Sequence, residues 1–168
     1  MPSRRTCLTP FVQTSLRAGN LTPMKQTEKA RGAPKIIQSQ PAGPDHRVVS
    51  VQGPSKAGYR RTPCKGCPWR VENDGLFPAE AFVHSAGTAH DMSQHIFACH
   101  ESGIAAGHAC AGFLLRGADH NMSVRIGRMI GKFKPDVAAA GAVLHDGYRD
   151  MAIANGVAAD DPCLALCR

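Results

Sequence analysis

Apolar residues recur at helical spacing mainly in the second half of this chain. Met122, Ile126, Met129, Ile130 and Phe133 fall on one stripe behind Asn121, whose short polar side chain suits an N-cap. The pattern predicts a helix with that stripe inward and Arg125, Arg128 and Lys132 on the neighbouring face. Another helix is predicted from about Ala139 to Asn155, with Leu144, Tyr148 and Met151 inward and Gly156 as its stop. Pro78 suits the first position of a helix running to about Ala86, which would bury Phe82 and Ala86 and end at Gly87. The breaker-poor run from His108 to Leu115 begins a further helix that carries Cys110 and buries Phe113 and Leu114.

Strand signals are sparse. Alternation and β-branching from Val48 to Val51 predict one short strand, closed off by Gly53, Pro54 and Gly58. Cys64 to Cys67 reads as a tight turn, and His95 to Cys99 as a short extended segment that delivers Cys99 and His100. The expected fold class is α+β and mostly α. Three to four helices and minor strands surround a C-x-x-C knuckle, as in a small metal-stabilised domain.

Charge divides the chain. Residues 1 to 63 carry 11 Lys/Arg against 2 acids and 8 of the 12 prolines, whereas residues 64 to 168 carry 9 Lys/Arg against 11 acids. The basic front, through Lys25, Lys29, Arg31, Lys35 and Arg47, has few large apolar residues and no sustained period. Residues 1–47 are therefore expected to form a disordered basic tail, and residues 48–168 a cysteine-rich metal-binding domain. Residues 1–23 read as an over-extended start ahead of Met24-Lys25. A transit peptide is the competing reading, weakened by the lack of a helical apolar face. No run approaches the ~20 apolar residues that span a bilayer, and no apolar signal-peptide core is present. The expectation is a cytoplasmic protein without a membrane partner.

In that compartment seven cysteines, an odd number, do not suggest a disulfide framework. Metal ligation explains them better. Cys64 and Cys67 form a C-x-x-C turn, and Cys99 and Cys110 are the natural second pair, since the 31 intervening residues after Cys67 allow one helix to cross and return. Cys7, Cys163 and Cys167 are left over. Four thiolates suit Zn²⁺, and they suit an iron–sulfur cluster as the alternative, although the spacing matches neither ferredoxin pattern.

Histidine offers substitutes. His100 and His108 flank the second cysteine pair and are alternates in a Cys₃His set, but adjacent Cys99 and His100 are not expected to reach one ion together. The favoured role for His100 is to tune the site by hydrogen bonding or to face solvent. His84, His90, His95, His120 and His145 are expected to be surface or structural residues.

Four sharper readings meet obstacles. Pro63-Cys64-x-x-Cys67 matches half of the zinc deaminase signature, but no H-x-E occurs in the chain. A thioredoxin-like dithiol lacks its βαβ context, and covalent haem attachment needs a histidine where Pro68 stands. A zinc hydrolase with His100 or Glu101 as base needs an open coordination position, which a complete Cys₄ shell lacks. Whether the protein is an enzyme stays open, leaning against. A binding module is the leading expectation: a structural metal, with nucleic acid as partner through the basic tail and Arg125, Arg128 and Lys132. The bland alternative is a merely solvated tail and helix face.

The run Pro63-Cys-x-x-Cys-Pro-Trp-Arg70, then Phe97-x-Cys-His-Glu101, then Cys110-Ala-Gly-Phe113, resembles an uncharacterised family of small bacterial and phage proteins. The resemblance covers the chain from about Val48 to its C-terminus and includes Tyr148-Arg-Asp-Met, Asn155-Gly and Pro162-Cys-Leu. It implies a compact domain in which Cys64, Cys67, Cys99 and Cys110 occupy the family's cysteine positions. The family carries no activity to transfer.

Overall fold

A computed structural model describes residues 34–52 and 58–167. The expectations for Cys7, for residues 1–23 and for the break at Gly53 and Pro54 lie outside the described residues. The described chain is mostly helical, with a two-stranded sheet. Strand β1 (Lys35–Pro41) pairs antiparallel with β2 (Arg47–Gln52), in a register that sets Ile36 opposite Val51 and Pro41 opposite Arg47. Five short helices follow: α1 (Ala79–Ser85), α2 (Gly103–Ala106), α3 (Ala111–Arg116), α4 (Met122–Met129) and α5 (Tyr148–Ala154).

The strand foreseen at Val48 to Val51 is present as β2, but residues 35–47 are not the disordered tail expected of them. Gly43, at φ +90°, turns the chain between the two strands, and β1 satisfies the backbone groups of β2. Val48, Val49 and Val51 are buried, and Val48 meets Ala42 and Ala81 of α1 in a small apolar cluster. Pairing and burial outweigh the polar composition of this stretch.

The main core is built around Trp69, which is fully buried. Phe97, Phe113 and Tyr148 surround its ring at centroid distances of 6.0, 6.2 and 6.1 Å. Tyr148 joins α5 to α1: its hydroxyl donates to the Phe82 carbonyl at 2.7 Å and shares a 2.5 Å hydrogen bond with Ser85 Oγ. Asn121 caps α4 as its position suggested, accepting from the Val124 N–H at 3.0 Å. Its amide nitrogen also donates to the His95 and Thr88 carbonyls, so the cap ties α4 to two neighbouring segments.

Two helix expectations need correction. The last helix starts at Tyr148, not near Ala139. Ala140 and Gly141 have φ of +51° and +81°, and Leu144 bridges Arg70 in extended geometry, with His145 N–H on the Trp69 carbonyl at 3.0 Å. Tertiary pairing thus replaces the first helical turns. On α4 the apolar stripe faces outward, with Ile126, Met129 and Ile130 48, 85 and 73 % exposed. Val124 and Gly127 are buried instead, because Gly127 lets the Phe133 ring fold back against the helix where a Cβ would overlap it.

Candidate metal centre

Backbone pairing brings the four central cysteines together. Ala109 bridges Tyr59 on one side and Ala98 on the other, and flanking bonds run from Cys99 N–H to the His108 carbonyl (2.7 Å) and Cys110 N–H to the Phe97 carbonyl (2.9 Å). This small ladder sets Cys99 opposite His108 and Cys110 opposite Phe97, one on each strand. Cys110 stands immediately before α3 in extended geometry, so the helix begins one residue later and does not carry it.

The knuckle closes opposite them. Cys67 N–H bonds the Cys64 carbonyl at 3.1 Å, and Asn73 Nδ2 donates to the Lys65 and Cys67 carbonyls at 2.9 Å each. Arg70 Nη1 reaches the Cys64 carbonyl at 3.4 Å. Pro68-Trp69-Arg70 therefore performs two tasks: Trp69 roots the turn in the core, and Arg70 braces its backbone.

All four thiols are buried. Cys64 and Cys99 sulfurs lie 3.8 Å apart, and those of Cys67 and Cys110 lie 3.6 Å apart. His100 Nδ1 is 3.9 Å from Cys64 Sγ. Cys64, Cys99 and His100 form a group whose ligand atoms all lie within 4.8 Å of one another, a group that could hold a metal ion. Adjacent Cys99 and His100 do converge, contrary to the spacing argument, because His100 opens a 3-10 turn that swings its ring back over the knuckle. There the ring meets the edge of Phe77 at 5.4 Å. His108 lies elsewhere, against Gly58.

As free thiols Cys64, Cys67 and Cys99 are biased toward the protonated form. Interaction with Cys67, opposed by Cys99 and reinforced by burial, pushes the Cys64 thiol up to about 12. The Cys110 contact and then burial push Cys67 up, and the Cys64 contact and then burial do the same for Cys99. Working the other way, the Trp69 N–H favours the Cys67 thiolate, and the Glu101 N–H and the Arg60 charge favour that of Cys99. Arg60 also pairs with Glu101 at 3.3 Å. A soft cation would replace the shared protons and receive charge that this environment already partly offsets. Burial lowers the His100 pKa, which keeps the imidazole neutral.

The remaining histidines have other partners. His84 contacts the Pro41 carbonyl at 3.2 Å, His90 the Cys163 carbonyl at 3.3 Å and His145 the Asp74 carboxylate at 2.7 Å, while His120 lies 3.8 Å from Asp91. Cys163 and Cys167 sit apart from the cluster near Ala86 and His90. Arg125 on α4 and Lys132 just beyond its end are exposed. Arg128 is engaged, bonding Asp119 at 2.9 Å and the Leu114 carbonyl at 3.0 Å. Among the described residues no helix is long and apolar enough to cross a membrane.

Sequence reading missed Asn73, Arg60, Gly112 of α3 and Gly117 at its C-cap as supports of this site. Asn73 carries no local signal, since its partners become neighbours only once the knuckle folds. Gly112 and Gly117 read as helix weakeners, yet each sits where a Cβ would overlap the Trp69 indole.

No curated protein and no solved structure matches the chain. A family model does match, over residues 59–168, starting at the bridge residue Tyr59 and containing all four clustered cysteines. The chain belongs to the family of unknown function DUF6283.

Proposed function

We propose that Cys64, Cys67, Cys99 and Cys110 together hold one Zn²⁺ ion, and that the ion is structural. The observation that carries this reading is the pair of sulfur separations, 3.6 and 3.8 Å. A tetrahedron with zinc–sulfur bonds of ~2.3 Å has edges of about 3.8 Å, so each pair already spans an edge. A four-iron cluster gives each thiolate its own iron and would hold the sulfurs well apart, whereas a two-iron cluster also takes its thiolates in pairs, so iron and sulfide content separates that case from zinc. Structural zinc contributes about 10–16 kcal/mol of apparent binding free energy, comparable with or larger than the ~5–15 kcal/mol stability of a whole domain. The short helices and minor sheet fit that dependence.

The module's partner, in this reading, is a nucleic-acid backbone. Support comes from the exposed Arg125 and Lys132 and from the 11 Lys/Arg against 2 acids of residues 1–63. Arg128 belongs less to this surface, because Asp119 neutralises it.

Elemental analysis and an absorption spectrum of untagged protein, purified anaerobically, test the metal assignment. The expected protein is colourless with one zinc per chain, and Cys67→Ser loses both zinc and folded structure while Cys163→Ser keeps both. A brown protein containing iron and sulfide replaces zinc with the cluster. Equal stability of the two variants removes the metal reading.

A further inference from the structure

Five potential donors neighbour the knuckle where four suffice. Cys64, Cys99 and His100 are mutually within 4.8 Å, and Cys67 and Cys110 adjoin them as a pair 3.6 Å apart. Cys64 adjoins the pair through the knuckle itself, in which the Cys67 N–H bonds the Cys64 carbonyl at 3.1 Å. Cys110 meets Cys67 and stands outside the trio.

The imidazole is placed for more than packing. Its Nδ1 faces Cys64 Sγ at 3.9 Å, the ring leans on Phe77, and Gly66 leaves it space: a Cβ there would stand 3.3 Å from Nε2. Phe77 and the turn at residues 100–102 hold the ring at the cluster without using Nδ1. A neutral imidazole nitrogen binds zinc at ~2.0–2.1 Å in ordinary Cys₃His centres, so a modest movement of the ring would complete a shell.

Resting on the single-zinc reading above, we propose that His100 is a reserve ligand. While four thiolates hold the ion, His100 stays outside the shell beside Cys64. When Cys110 is withdrawn, Nδ1 takes the fourth position and the centre becomes Cys64, Cys67, Cys99 and His100. The ion is then retained through the loss of a thiolate, and the chain stays folded. The same exchange gives a competing chelator or protein a stepwise path to the metal, because the ion need never be left with three protein ligands.

Cobalt binding to the full-length chain tests this through a double-mutant cycle of His100→Ala and Cys110→Ser, monitored by affinity and by the thiolate-to-cobalt absorption band. His100→Ala alone is expected to weaken binding by no more than about 100-fold, the upper end for a group outside the shell. Cys110→Ser is expected to keep one cobalt, with the band reduced to about three quarters as four sulfur bonds become three. The double variant should bind at least about 10-fold more weakly than the product of the single effects. Additive losses overturn the proposal. So does a loss of several hundredfold from His100→Ala alone, which would make His100 a resident ligand. Failure of both Cys110→Ser and Cys110→Ala to fold with cobalt present contradicts it as well. A wild-type protein that binds neither cobalt nor zinc fails the single-zinc reading itself, a distinct outcome that also ends this proposal.

Discussion

The Trp69 indole lies directly on the backbone of Gly112, so close that a Cβ at that position would overlap its Cβ and Cγ atoms. Gly117, also against the indole, makes the same allowance further along the chain. The contact joins the C-x-x-C knuckle to the helix that follows Cys110. Core packing and cysteine convergence are consequently one structural event.

Gly112→Ala is therefore expected to cost about 1–3 kcal/mol of stability, the usual range for an overpacked core, despite alanine's better helix propensity. Gly87→Ala is the control, because nothing lies within 4 Å of a Cβ there. It should change stability by less than about 1 kcal/mol. Urea denaturation of the two variants measures the difference, and equal stability would remove the link between Trp69 and α3.

Legibility in the sequence followed locality. Asn121 could be read as a cap because capping is decided within four residues, and the C-x-x-C turn likewise. The α+β, mostly helical class was legible from the periodic segments. The fate of residues 139–147 was not, because Leu144 and His145 pair with Arg70 and Trp69, more than seventy positions earlier. The outward stripe of α4 misled for a related reason: Gly127, silent in an apolar pattern, is the residue that the core uses. His100 was expected to hydrogen-bond at the site, and its Nδ1 does lie 3.9 Å from Cys64 Sγ; its convergence with Cys99 was not legible, because sequence adjacency does not reveal a 3-10 turn.

Charge on α4 separates two kinds of arginine. Arg125→Glu with Lys132→Glu should weaken sequence-independent binding to duplex DNA, single-stranded DNA or RNA, with the effect vanishing between ~50 and ~200 mM salt. Arg128→Ala should instead lower stability, since it removes the hydrogen bond to the Leu114 carbonyl. Salt-titrated binding and thermal melting of the same variants check both. No binding by the full-length protein at low salt excludes the nucleic-acid partner.

Asp136 gives the fold an acid-sensitive contact. Hydrogen bonds from Tyr59 at 2.7 Å and Arg61 at 2.7 Å hold its carboxyl below the ordinary value of 3.8. A carboxyl depressed in the folded state stabilises above its unfolded pKa, and that contribution is lost as pH falls through the folded value. Stability should decline below about pH 4 more steeply in the wild type than in Asp136→Asn. Parallel acid titrations of the two proteins read this directly, and identical slopes would show that the contact does not persist in solution.

The account depends most on four thiolates sharing one zinc ion, and X-ray absorption at the zinc edge measures that shell. The expected spectrum has four sulfur scatterers at ~2.3 Å and no metal–metal vector. A shell with oxygen or nitrogen in place of one or more sulfurs, or a second metal nearby, would contradict it.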